Sequence, residues 1–210
     1  MIESLTPEQE AKIPLYIEKW VNIGISTEPF SQSEAESIVW NFQTEILKQA
    51  KTPVVVCDNP VDAWNQVLKS GLNHHQIVDL AIAKVWSLVN ANVEKPLRDL
   101  VYDQVDYPVS DLVFYKVRNQ IWKQVWFPLG KQFEEQLESQ IEDFVWPLLD
   151  GVYNTPSFGY YDYFISEGVV KIDEKLKAKF NTWSAISKLG LIYLLPDYCV
   201  VTQKFTAWVK

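Results

Sequence analysis

From Ile77 to Leu149 every fourth residue of this chain is apolar: Ile77, Ala81, Val85, Val89, Val93, Leu97, Val101, Val105, Val109 and onward through Val145 and Leu149. A frame held over nineteen tetrads is a quasi-repeat. The position before it is often glutamine (Gln104, Gln120, Gln124, Gln132, Gln136, Gln140) or proline (Pro96, Pro108, Pro128). A period of four matches neither the 3.6-residue α-helix nor the 3.5-residue coiled coil. In a straight α-helix such a stripe drifts by about 40° per tetrad, so over a long rod it would wrap the whole cylinder. Pro96, Pro108, Pro128 and Pro147 offer a way out. They cut the run into pieces of three to five turns, each able to turn its own stripe toward a shared core. The segment Lys131–Phe144 (KQFEEQLESQIEDF) is rich in strong helix formers, so we read the tetrads as helical although a pleated strand would also keep them on one face.

Cap signals organise the N-terminal third. Thr6-Pro7-Glu8-Gln9 reads as a capping box with proline at the first helical position. The helix it opens buries Ile13, Ile17, Trp20 and Val21, and Pro14 is placed to kink it. Ser33 with Glu36 opens a second helix, Asn59-Pro60 a third, and Asn73 caps the tetrad region. Between them Val54-Val55-Val56-Cys57 is a β-branched run set off by Pro53 and the Asp58-Asn59-Pro60 turn, and reads as a buried strand. After Val152 the pattern changes: Asn154-Thr155-Pro156-Ser157 and Gly159 read as a loop, followed by the aromatic cluster Tyr160-Tyr161-Asp162-Tyr163-Phe164. Ile172–Lys188 reads as a helix. Leu191–Leu194 and Tyr198–Gln203 form a hairpin about Pro196-Asp197, with Phe205–Val209 a further strand. The Val54–Cys57 strand needs partners, and the C-terminal strands supply them. The expected fold class is therefore α+β, mainly α: a single domain over residues 1–210, an array of short Pro-punctuated helices with one small sheet joining the N-terminal third to the C-terminus.

Leu5–Phe30 (LTPEQEAKIPLYIEKWVNIGISTEPF) and Val54–Pro60 (VVVCDNP) resemble the opening of an uncharacterised bacterial family common in cyanobacteria. Its members run on into glutamine-rich tetrads such as KQFEEQLESQI and close with an aromatic, proline-containing segment. The resemblance covers nearly the whole chain and implies a shared fold. The family has no known function, so it offers no catalytic residues to carry over. This chain also departs from it: the relatives close with a cysteine–aspartate–basic–proline repeat, whereas here Cys199-Val200-Val201 leads into Thr202-Gln203-Lys204-Phe205.

The chemistry visible in the sequence is sparse. The net charge of −8 argues against a nucleic-acid or anionic-membrane surface. The N-terminal residues lack a signal-peptide pattern, and no apolar run is long enough to span a bilayer. Two cysteines, Cys57 and Cys199, suit a cytoplasmic protein with reduced thiols. The adjacent His74 and His75 cannot form a paired ligand set, and Glu134, Glu138 and Glu142 read as a solvated helix face. No metal or cofactor is expected, since no phosphate loop, nucleophile elbow or zinc motif is present. Cys57-Asp58, at a strand end, is the best single candidate for a reactive site, although a buried small Cys with Asp58 as a turn residue is the favoured reading. Trp122, Trp126 and Trp146 with Tyr160, Tyr161 and Tyr163 form an aromatic band that could line a groove or fill a core. The leading expectation is a non-enzymatic helical scaffold that binds a partner protein or its own copy. The alternative is a small-molecule-binding protein or enzyme with an aromatic pocket near Cys57-Asp58.

Overall fold

The computed structural model describes residues 1–127, 145 and 151–204, without the side chains at 81, 82, 151 and 152. The expectations for Lys131–Phe144, Trp146 and Phe205–Val209 lie outside these residues. Helix α1 (Pro7–Ile25) begins with the expected box: the Thr6 hydroxyl accepts from the Gln9 amide at 3.2 Å, and the Gln9 side chain accepts from the Thr6 amide at 2.9 Å. Pro14 sits inside it without ending it. Helix α2 (Gln32–Asn41) starts two residues earlier than the Ser33/Glu36 spacing predicts, with Ser31 and Glu34 forming the box. Both tetrapeptides satisfy the capping rule. The earlier start lets Gln32 donate to the Val54 carbonyl at 2.7 Å and buries Ala35 and Val39. A π turn, Phe42–Leu47, continues α2 and ends on Lys48 in the left-handed region.

The tetrads fold by a device that the prolines do not supply. Helix α4 (His74–Val78), following α3 (Pro60–Leu68), passes through a π turn (Asp79–Lys84) into α5 (Val85–Val89). A second π turn (Asn90–Glu94) then leads into α6 (Lys95–Gln104). An i→i+5 bond takes up one residue more than an α turn, so each π turn absorbs about 100° of rotation. At 40° of drift per tetrad, one π turn is needed about every ten residues to hold the stripe inward. The two here begin 11 residues apart, at Asp79 and Asn90. The stripe accordingly does not rotate from piece to piece, as the proline argument required. Ile77, Val85, Val89, Val93, Leu97, Val101 and Val105 are all at most 4% exposed. Pro96 sits in the first turn of α6 without breaking the helical run, because the missing amide falls where the bonding pattern is already changing. The break comes at Val105, which is extended. There Ile2 pairs with both sides, its amide donating to Gln104 and its carbonyl accepting from Asp106, and the Gln104 side chain pairs with the backbone of Lys171. Asp106 and Pro108 then open α7 (Tyr107–Val113), followed by a π turn (Phe114–Arg118) and α8 (Asn119–Gln124). Val109, Val113, Val117, Ile121 and Val125 continue the buried stripe.

The segment expected as a loop at residues 154–159 is instead part of helix α9 (Gly151–Ser166), with Pro156 inside it. Asn154, Thr155, Phe158, Tyr160, Tyr161, Asp162, Tyr163 and Phe164 are all buried. A helix buried over most of its length must satisfy its backbone internally, and this outweighs the turn preference of Asn-Thr-Pro-Ser. Gly159 is required by contact: a Cβ there would lie 2.3 Å from Ile121 Cδ1 and 3.2 Å from the Trp20 ring. Helix α9 packs against α1, α8, the Phe114–Arg118 π turn and the 3₁₀ turn Ala185–Lys188 that follows α10 (Glu174–Ser184).

The sheet joins the two ends of the described chain as expected. Strand β1 (Val54–Cys57) runs parallel to β3 (Cys199–Thr202), with Val54 opposite Cys199 and Cys57 opposite Thr202. Strand β2 (Ile192–Leu194) pairs antiparallel with β3, giving the order β1-β3-β2. The fold is α+β and mainly α. Among the described residues no helix is long and apolar enough to cross a membrane.

Candidate functional site

Three polar side chains that the tetrad pattern leaves off the buried stripe converge beside α9. Glu94 closes the second π turn, Arg98 follows one turn later in α6, and Arg118 closes the π turn after α7. With Tyr102, Phe114, Ser157, Tyr160 and Tyr161 they line a cleft of about 280 Å³. That lies just below the roughly 300–1,000 Å³ of pockets for drug-sized ligands. π turns recur at functional sites because they re-aim side chains out of the regular helical rows. Here two of them contribute side chains to the lining of one cleft.

The chain has nineteen basic residues, and only two of them, Arg98 and Arg118, are arginines. Both line this cleft, and neither forms an ion pair or hydrogen bond among the described residues. The Arg118 guanidinium lies over the Phe114 ring at 4.8 Å, which orients it and leaves its in-plane donors free. Glu94 and Arg98 stand four apart, the spacing at which an α-helix pairs opposite charges, yet no ion pair joins them. Glu94 Oε2 is buried and has no hydrogen-bond partner among the described residues. Burial pushes the Glu94 carboxyl above its ordinary range, and the nearby Arg98 and Arg118 charges only partly oppose this.

The tyrosines of α9 form the floor. Tyr160 exchanges a hydrogen bond of 2.7 Å with Ser110 Oγ and packs edge-on against Phe114, Tyr161 and Phe164. Burial pushes its phenol up to about 12, and that of Tyr161 higher still. Both stay protonated at neutral pH, so they serve as hydrogen-bond donors and apolar walls rather than as bases. The arrangement sets two guanidiniums, groups chemically suited to negative charge, beside one acceptor carboxyl.

The other residues singled out from the sequence lie elsewhere. Tyr163 belongs to the seam with α1, its hydroxyl donating to the Gln9 carbonyl at 3.1 Å and its ring edge-on to Tyr16 at 5.4 Å. The Trp122 and Trp126 rings lie 5.5 Å apart, tilted at 37°, and both meet Tyr153 edge-on. Trp146 is outside the described residues. Cys57 is buried in β1, where burial, then the Asp62 and Asp58 charges, raise its thiol above the ordinary range, the opposite of an activated thiolate. Cys199 is buried and raised by burial alone. Strand β1 packs on α2, α3 and β3 rather than on α9, so Cys57-Asp58 and the tyrosines belong to different parts of the core. Glu94, Arg98 and Arg118 were not legible as a site, since 24 residues and a chain reversal separate the first from the last. The scarcity of arginine was the available signal. Among the described residues no three His, Cys, Asp or Glu side chains gather as metal ligands. No protein-family model, curated protein or solved structure matches the chain.

Proposed function

We propose that the protein is a non-enzymatic binding protein that receives an anionic group in the cleft between Arg98 and Arg118. The observation that carries this reading is the convergence of the chain's only two arginines, both without an acceptor among the described residues, on one small aromatic-walled cleft. Guanidinium is the side chain best matched to planar, bidentate recognition of carboxylate or phosphate. The cleft lining holds no Cys or His, and among the described residues no hydrogen bond couples the raised Glu94 carboxyl to Ser157, an arrangement that favours binding over catalysis. Isothermal titration calorimetry with a panel of small carboxylates and inorganic phosphate tests it. Binding that falls at least tenfold in both Arg98→Gln and Arg118→Gln supports the reading, and absence of binding across the panel removes it.

A second reading, an interaction scaffold for a partner protein or a second copy, is favoured by the exposure of Tyr102, Tyr107 and Tyr115 (56%, 72% and 58%). A concentration-dependent shift in sedimentation that Tyr107→Ser with Tyr115→Ser abolishes would support it. Membership of the cyanobacteria-rich family is proposed on the Leu5–Phe30 and Val54–Pro60 segments, and a cytoplasmic setting on the two free buried thiols. The net charge of −8 supports excluding nucleic acid as a partner.

A further inference from the structure

The geometry points to a compact zwitterion, an α-amino acid with an apolar or aromatic side chain, as the ligand of this cleft. The inference rests on the binding function proposed above and adds the role of Glu94. Two guanidiniums account for an anionic group but not for a carboxyl set among them with a buried, unpartnered oxygen. A half-buried carboxyl without a partner destabilises the protein, so its presence calls for a hydrogen-bond donor that arrives with the ligand. An ammonium supplies three such donors and a positive charge.

The spacing limits the ligand further. Glu94 and Arg98 are four residues apart, about 6 Å along a helix axis. The ligand's cationic and anionic groups must therefore be separated by only a few bonds, as they are across an α-carbon. A long diamine, a simple dicarboxylate or a phosphate ester leaves either Glu94 or an arginine unsatisfied. The remaining wall is Phe114, Tyr160 and Tyr161, with Tyr102 at the rim, and this accepts an apolar or flat side chain.

Calorimetry with matched pairs tests the inference: L-leucine against 4-methylpentanoate, and L-phenylalanine against 3-phenylpropanoate. The amino acid is expected to bind at least tenfold more tightly than its deamino partner. Glu94→Gln is expected to remove that preference while leaving deamino binding within about twofold, a split that simple damage to the fold would not give. Arg98→Gln and Arg118→Gln are expected to weaken both members of each pair. Melting curves for each variant confirm folding, and Glu94→Gln is expected to melt no lower than the parent. Equal binding of amino and deamino partners, or a preference that survives Glu94→Gln, overturns the zwitterion inference while leaving the anion-binding reading standing. Failure of every compound to bind overturns the zwitterion inference, and overturns the anion-binding reading as well if inorganic phosphate also fails to bind.

Discussion

The tetrad helices α4 to α8 and the central helix α9 are both buried helical structure, but they arrive there by opposite routes. In the tetrad region a local pattern dictates one inward face, and the backbone bends its own hydrogen bonding to keep it. Two π turns 11 residues apart cancel the drift of a four-residue period, so that a stripe from Ile77 to Val105 stays inside. Helix α9 carries no such pattern. Its first half spells a turn, yet Asn154, Thr155 and Phe158 are buried alongside the valines of the stripe. One helix is specified by its own sequence, and the other by the walls around it. The arginine-lined cleft lies where the two meet, with Glu94 and Arg118 from π turns, Arg98 from α6 and phenols from α9.

The sharpest way to break this comparison is to change the count of residues. Deleting Asp99 from the α-helical part of α6 should turn everything on one side of it by about 100° and abolish cooperative unfolding, seen by circular dichroism during heating. Deleting the exposed Ala91 inside the Asn90–Glu94 π turn should restore an ordinary α turn, keep Val89 and Val101 inward, and leave a cooperative melt. Equal damage from both deletions would show that the π turn does not hold the register.

Next in size is the core of α9. Phe158 is fully buried between Trp183, at 4.8 Å, and Trp20, at 5.5 Å. Phe158→Ala should cost about 3–5 kcal/mol in urea unfolding. Val93→Ala, also fully buried but in the stripe, removes far less volume and should cost about 1–2 kcal/mol. A smaller loss at Phe158 than at Val93 would mean that α9 is not the better-packed helix.

Polar anchoring of α9 comes third. Asp162 accepts from Trp20 Nε1 at 2.8 Å, from Lys19 Nζ at 2.7 Å and from Ser166 Oγ at 2.8 Å. Asp162→Ala leaves a buried indole N–H unpaired and should cost about 1.5–3 kcal/mol, most of it retained in Lys19→Ala/Asp162→Ala relative to Lys19→Ala alone.

The smallest effect is expected in the tetrad layer at Glu94. Its folded-state carboxyl is raised above the ordinary 4.5 by burial, with Arg98 and Arg118 opposing. A raised group favours the folded state fully below its unfolded value and loses that contribution as pH climbs through the folded value. The parent should therefore lose stability relative to Glu94→Gln as pH climbs from 4.5 through the raised folded-state value, and the variant should melt slightly higher above it. A pH-independent difference between the two would remove the buried-carboxyl argument.

Cap chemistry at Thr6, Asn59 and Asn73, the inward stripe and the pairing of Val54–Cys57 with the C-terminal strands were all legible in the sequence. Each rests on contacts within a few residues or on a β-branched run that has few possible partners. Of the cleft, only Tyr160 and Tyr161 stood out, as part of an aromatic cluster. Glu94, Arg98 and Arg118 did not, because nothing local marks charges that meet only after the chain reverses at Val105.

What the sequence determined by itself is a period of four and its consequence: one apolar face that must be buried. How a helix could carry that period was decided in three dimensions, because a π turn costs hydrogen-bond geometry and is worthwhile only where a core rewards the residue it returns to the inside. The tertiary structure alone decided that Asn-Thr-Pro-Ser would be helix, since a buried backbone must bond to itself. It alone brought the two arginines and Glu94 into one cleft, since their approach depends on the packing of α6, α7 and α9 rather than on any spacing along the chain.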